Sequence, residues 1–233
     1  MRSKKEIIAI VTNCAEKYKA ELENKTLLFV CTDKHKRVSC YEFSFFDYNF
    51  LHLTGLRTTE IFKTRANQEI KEETIHKNIP AVRFYEKCLD HRLTESDFEV
   101  SEKGTTALKL DVLPMMICKN LSANMIGDFS STHPRLYTEK VAGGKNAYIG
   151  FVFDEMSQRY VPNTIIKDDI RKNVTNAVRV IATYRKGKND DKYSECVYTA
   201  AKVDWDKIKY PERFSYIPKP VMNDENAVLT AVR

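Results

Sequence analysis

The side chains that could do chemistry in this chain of 233 residues fall into four short groups. The first is His52 with Thr54, inside Phe50-Leu51-His52-Leu53-Thr54-Gly55. Its polar and apolar alternation predicts the end of a strand, with His52 and Thr54 on one face and Leu51 and Leu53 on the other. The second is Lys140, in Tyr137-Thr138-Glu139-Lys140, expected to end a strand before the Gly143-Gly144 turn. The third is Pro162-Asn163-Thr164, read as a turn into a short helix over 166–172 that carries Lys167, Arg171 and Lys172. A helix N-terminus beside amide and hydroxyl donors suits an anion, and a phosphate above all. The fourth is Thr183-Tyr184-Arg185-Lys186, at the end of an expected central strand. Between 167 and 188 lie seven Lys or Arg against two Asp, so this stretch carries +5 of the chain's +6. Such a local concentration says more about a partner than the total does.

These groups match the needs of RNA cleavage through the ribose 2′-hydroxyl. A general base removes the hydroxyl proton, a general acid protonates the leaving oxygen, and histidine is the usual side chain for both near neutral pH. Cations and hydroxyl donors stabilise the extra charge of the phosphorane-like transition state. The expectation is catalysis by the chain's own side chains, with neither a metal nor an organic cofactor. Asp168 and Asp169 are adjacent, point different ways on a helix, and read as favourable charges in its first turn. Each group also has an ordinary structural reading. A histidine in a strand is often a satisfied packing residue, basic residues at a strand end are often solvated, and Pro-Asn-Thr before a helix is often a cap. From the residues alone the reading stops at an α+β domain with a nucleic-acid partner in view.

The elements that must position these groups are legible in outline. Ser3 and Glu6 fit a capping box ahead of a helix over about 4–23, with one apolar stripe from Ile7 to Leu22. Leu27 to Cys31 and Val38 to Phe45 read as a hairpin. Helices are expected over 59–77, 80–93 and 105–119, with Pro114 predicting a kink in the last. Strands follow over 125–129, 135–141, 147–154, 158–161, 177–185 and 193–199. This is an α+β pattern of N-terminal helices followed by an antiparallel sheet of about four to five strands. The division expected is 1–38 for the first helix and strand, 39–204 for the main α+β unit, and 205–233 for a proline-bearing tail or strap.

Composition narrows the classes further. Apolar residues make up 42%, enough at this length for a core. The longest early apolar run, Ile7 to Val11, is too short for a signal or membrane segment, so the chain reads as soluble and cytoplasmic. Six cysteines without a single C-x-x-C pair read as reduced, mostly buried thiols rather than a zinc site or disulfide scaffold.

Several segments together carry a resemblance: SCYEFSFFDYNFLHLTGL (39–56), FYEKCLDHRLTESDFE (84–99), TALKLDVLPMM (106–116), MIGDFS (125–130), LYTEKVAGG (136–144), GFVFD (150–154) and YVPNTIIKDDIRK (160–172). In this order the sequence resembles the phage-type nuclease-like family named for Barnase, EndoU, colicin nucleases and RelE (PBECR), in its fourth subfamily. The resemblance implies helices followed by an antiparallel sheet, and metal-independent RNA cleavage in conflict between phage or mobile elements and their hosts. It implies RNA as the substrate, tRNA or ribosome-associated RNA among the choices, and a cognate inhibitor protein as a further partner. Carried over to this chain, the catalytic candidates are His52 and Thr54 from HLTG, Lys140 from YTEK, and Thr164 from PNT. Asn163, Lys167 and Arg171 join them as phosphate or RNA contacts. Tyr184, Arg185 and Lys186 rest on position and charge alone. The alternative carried beside this is a non-catalytic module that binds RNA or a protein partner.

Overall fold

The computed structural model describes residues 2–58, 60–63, 74–100, 104–130 and 137–220. In chain order its elements are α1 (Lys4–Glu21), β1 (Lys25–Thr32), β2 (Val38–Phe45), α2 (Phe50–Thr54), β3 (Arg57–Thr58), β4 (Glu60–Lys63), β5 (Thr74–Lys77), α3 (Ala81–Leu89), β6 (Phe98–Glu99), α4 (Thr106–Met116), β7 (Met125–Phe129), β8 (Lys140–Gly143), β9 (Tyr148–Asp154), β10 (Arg159–Ile166), β11 (Val174–Gly187) and β12 (Glu195–Thr199). The capping box forms as read: Ser3 Oγ accepts from the Glu6 backbone N–H, and Glu6 Oε2 accepts from the Ser3 backbone N–H.

The sheet overturns the expected architecture. Seven strands in the order β1-β2-β10-β9-β8-β7-β11 close on themselves through β1–β11 pairing, and β12 adds to the free part of β11. Every pairing in this barrel is antiparallel except β2–β10, which runs parallel with Tyr160 beside Phe43. The α+β fold with a small antiparallel sheet of four to five strands is therefore replaced by a closed mixed barrel with four helices among the described residues. Length makes closure possible. β11 has 14 residues, so its first part pairs with β7 while its later part pairs with β1. β1 is buried on both faces from Thr26 to Cys31, as a strand inside a covered barrel wall must be.

Alternate residues of β1 serve two cores. Leu27, Phe29 and Cys31 join the main core, together with Phe43, Phe45, Ile149, Phe151 and the buried faces of the helices. Leu28 and Val30 face a second core with Ile181, Ala182 and Tyr184. That outer face is covered by the segment after β12, through Trp205, Ile208, Phe214 and Ile217. Each such side chain, fully buried, contributes roughly 1.5–3 kcal/mol. The part of the tail beyond residue 220 lies outside the described residues.

Five local readings also change. Phe50–Thr54 is a short helix and not a strand end. Burial of Phe50 and Leu53 and a left-handed Gly55 at φ 69° decide the matter. Pro162-Asn163-Thr164 lies within β10 and not in a turn, with Pro162 at an irregularity in the β9–β10 register, where a missing N–H is tolerated. The helix expected over 166–172 shrinks to a 3-10 turn at Ile170–Lys172. In place of a helix over 59–77, β4 and β5 pair antiparallel, while 64–73 lie outside the described residues. The strand expected from 135 begins at Lys140, and 131–136 lie outside the described residues.

Candidate active site

α2 and α4 pack against β10, and a cleft of about 740 Å³ opens where they meet the segment before α3. His52 from α2, Lys109 from α4, and Asn163 and Thr164 from β10 all line it. Arg57 lines it as well, and no carboxylate does among the described residues.

Lys109 is the organising side chain. Its Nζ donates to Thr164 Oγ1 at 2.9 Å and to the His52 carbonyl oxygen at 3.3 Å. An ammonium has three donors, and these two bonds leave one for a ligand. Among the described residues no carboxylate pairs with it, and burial holds its pKa below the usual lysine value. A half-buried cation without a counter-charge is costly to the fold and is a ready anion site. Two local features hold it there. Thr106 Oγ1 donates to the Gly55 carbonyl oxygen at 2.7 Å, tying the start of α4 to the end of α2. A Cβ on Gly55 would stand 2.6 Å from Lys109 Cδ, so glycine serves both the turn and the passage of the lysine stem.

His52 sits at the solvent-facing rim. Burial of its inner side, and then the positive charge of Lys109, lower its pKa below 6.5. At neutral pH the imidazole is therefore held in its proton-accepting form. Thr164 is nearly enclosed, and because its oxygen accepts from Lys109, its own proton is free to donate. Across Gly150, the Thr138 and Thr164 methyl groups would lie 2.8 and 2.9 Å from an added Cβ, so glycine there lets the two threonines approach each other.

The other sequence-derived candidates go elsewhere. Thr54 is fully buried. Its hydroxyl donates to the Leu51 carbonyl oxygen at 2.8 Å and accepts from the Leu56 N–H at 3.1 Å, closing the end of α2. It shares no face with His52, because the strand alternation that paired them is absent. Lys140 does not line the cleft; it is paired with Asp128 and lies over the Tyr41 ring, 5.6 Å from its centroid. Lys167 reaches Asp111 at 2.7 Å, and Arg171 folds onto Asp169. Tyr184 is buried, with its hydroxyl 2.9 Å from both Tyr210 Oη and the Pro218 carbonyl oxygen. Arg185 forks onto Glu195 at 2.7 and 2.8 Å and also reaches Glu21 at 2.9 Å. Lys186 covers the Tyr193 ring at 4.8 Å. The basic stretch at 167–188 is thus spread over several faces and largely neutralised, and it forms no single track.

Residues 10–202 match the family model described as phage-Barnase-EndoU-ColicinE5/D-RelE like nuclease4. The chain belongs to this family. The match covers the barrel, all the cleft residues named above and most of α1. No curated protein and no solved structure matches the chain. The family name points to a nucleic-acid substrate and a phage association. Among the described residues no helix is long and apolar enough to cross a membrane, and no three His, Cys, Asp or Glu side chains form a metal-holding group.

Lys109 is the residue that sequence reasoning missed. It lies in TALKLDVLPMM, quoted for the resemblance but read there only as an apolar helix. Its signal was a cation flanked by Leu108 and Leu110, with an acid two positions on. That acid, Asp111, pairs with Arg2 and Lys167, and Lys109 has no carboxylate partner among the described residues.

Proposed function

We propose that the cleft is the active site of an endoribonuclease of toxin or effector type, from a phage or other mobile element, that cleaves RNA through its own 2′-hydroxyl without a metal. The observation that carries this reading is the Lys109 ammonium beside Thr164 Oγ1, with no carboxylate partner among the described residues, in the same cleft as a neutral His52. His52 takes the 2′-hydroxyl proton as that oxygen attacks the adjacent phosphorus. The phosphorane gathers negative charge on its non-bridging oxygens, next to the spare Lys109 N–H and the Thr164 O–H. The P–O5′ bond then breaks, leaving a 2′,3′-cyclic phosphate, and the imidazolium of His52 returns its proton to the leaving oxygen. Donors already fixed by Gly55, Thr106 and β10 need little reorganisation in that step.

The test is cleavage of mixed single-stranded RNA at neutral pH with EDTA present, followed by identification of the termini. Cyclic phosphate ends from wild type, and their loss with His52→Ala, are expected. Expression in a bacterial host should arrest growth, and His52→Ala should relieve the arrest. Equal toxicity of the mutant, or intact RNA with wild type, contradicts the proposal. RNA binding that survives His52→Ala without any cleavage would instead favour a binding module.

A further inference from the structure

Tyr137 is 82% exposed, the most exposed tyrosine among the described residues, and its backbone carbonyl is bonded to Asn163, which lines the cleft. A single exposed ring is ordinary on a surface; what singles this one out is the anchoring of its backbone. Its backbone is fixed from below by a residue that lines the cleft. Asn163 Nδ2 donates to the Tyr137 carbonyl oxygen, and Asn163 Oδ1 accepts from Thr138 Oγ1 at 3.3 Å. One residue further along β10, Thr164 meets Lys109. The nearest acid in this segment, Glu139, is turned to other work: its carboxylate accepts from the Phe153 N–H at 3.2 Å and the Tyr160 hydroxyl at 3.4 Å.

We infer that Tyr137 is a stacking platform for a nucleobase next to the phosphate held by Lys109 and Thr164, which makes unpaired RNA the substrate class of the site. This rests on the nuclease reading above. A base can lie on a tyrosine face only if it is free of its own neighbours, and the bases of an A-form duplex are paired and stacked on one another. Base–aromatic stacking is tolerant of sequence, because every base has a π-face. Asn163 is then a positioning residue. Its amide holds the Tyr137 backbone and not the phosphate, so the Tyr137 backbone and the phosphate site share one support on β10.

The experiment uses a fluorescein-labelled RNA oligonucleotide with 2′-O-methyl groups throughout, which has no attacking hydroxyl, either single-stranded or annealed to its complement. Anisotropy should show the single strand bound at least ~10-fold more tightly than the duplex, with Tyr137→Ala removing on the order of 10-fold of the single-strand affinity. Tyr137→Phe should restore binding, since the ring and not the hydroxyl is used. In Tyr137→Trp the new indole should be quenched as single strand is added, against the buried Trp205, the sole tryptophan of the native chain. Asn163→Ala should weaken single-strand binding and leave the pH dependence of cleavage unchanged. Equal affinity for duplex, or full affinity in Tyr137→Ala, overturns the inference. Because the probe cannot be cleaved, these outcomes stand apart from the cleavage test. Wild type that binds as described but cuts no natural RNA would refute the nuclease reading alone.

Discussion

Lys109 and Thr164 meet side chain to side chain, Nζ to Oγ1 at 2.9 Å, across 55 residues of sequence. The contact sets two donors side by side in a cleft that no carboxylate lines among the described residues.

Lys109→Met should lower kcat by about 10²–10³-fold, the usual cost of removing one donor from a preorganised oxyanion site. The same change should raise stability, because the lysine is held there against its own hydration. Burial depresses its folded-state pKa, so the unfolded chain binds the proton more tightly. The penalty is present at neutral pH and fades as pH rises into the interval below 10.5 where the folded form gives up its proton. A gain of about 1 kcal/mol, or about 2–4 °C in Tm by calorimetry at pH 7, is expected. A destabilised variant with intact kcat would refute both parts.

The pH profile follows from His52. Burial first and Lys109 second draw its pKa below 6.5. Cleavage should therefore fall on the acid side with an apparent pKa under 6.5, as the base becomes protonated. In Lys109→Met one of the two causes is gone, and the His52 resonances in an NMR titration should move to higher pKa. A titration unchanged by that substitution would show that the two charges do not feel each other.

Thr54→Val should behave as a structural change. It deletes a buried hydroxyl that both donates and accepts at the end of α2. Urea denaturation should show a loss of about 1–2 kcal/mol. The folded fraction should keep kcat within about 3-fold, since α2 loses a cap and no catalytic group. A large fall in kcat with stability intact would place the hydroxyl in the chemistry.

Lys140→Met separates the barrel interior from the cleft. Lys140 is held by Asp128, whose carboxyl lies below the usual aspartate range: burial opposes its charge, but the bonds from Lys140 and Asn176 outweigh that. A depressed folded pKa means that Asp128 stabilises the fold above its normal range and loses that contribution as pH falls below 3.8. Lys140→Met should weaken this acid-side dependence in thermal melts, with the Asn176 bond left in place, while cleavage stays within about 3-fold of wild type. Cleavage lost as completely as with Lys109→Met would return Lys140 to the phosphate site.

Much of the chain was readable by period. The capping box at Ser3, the apolar stripe of α1, and strands such as Tyr148–Asp154 announce themselves in a few residues. Phe50–Thr54 does not, because five residues of alternating Leu and polar side chains fit a strand or a helical turn equally, and the choice falls to burial of Phe50 and the left-handed Gly55. Closure of the barrel has no local signal, since Leu28 finds Tyr184 only in three dimensions. The continuous apolar run Leu27–Cys31 was the available clue, for a strand covered on both faces has no polar side to show. The site was half legible. His52 and Thr164 were chosen for their chemistry and do meet around one cleft. Lys109 was hidden by the leucines around it. Charge density misled at 185 and 186, where the side chains answer Glu21, Glu195 and Tyr193.

The β1–β11 seam joins Lys25 to Gly187, so the first strand waits for nearly the last one. Contacts this far apart in sequence make for slow folding, and the loop they close must be assembled whole. During synthesis the wall of the barrel stays open until the later part of β11 has left the ribosome and can pair with β1, long after β10 has met β2 and β9.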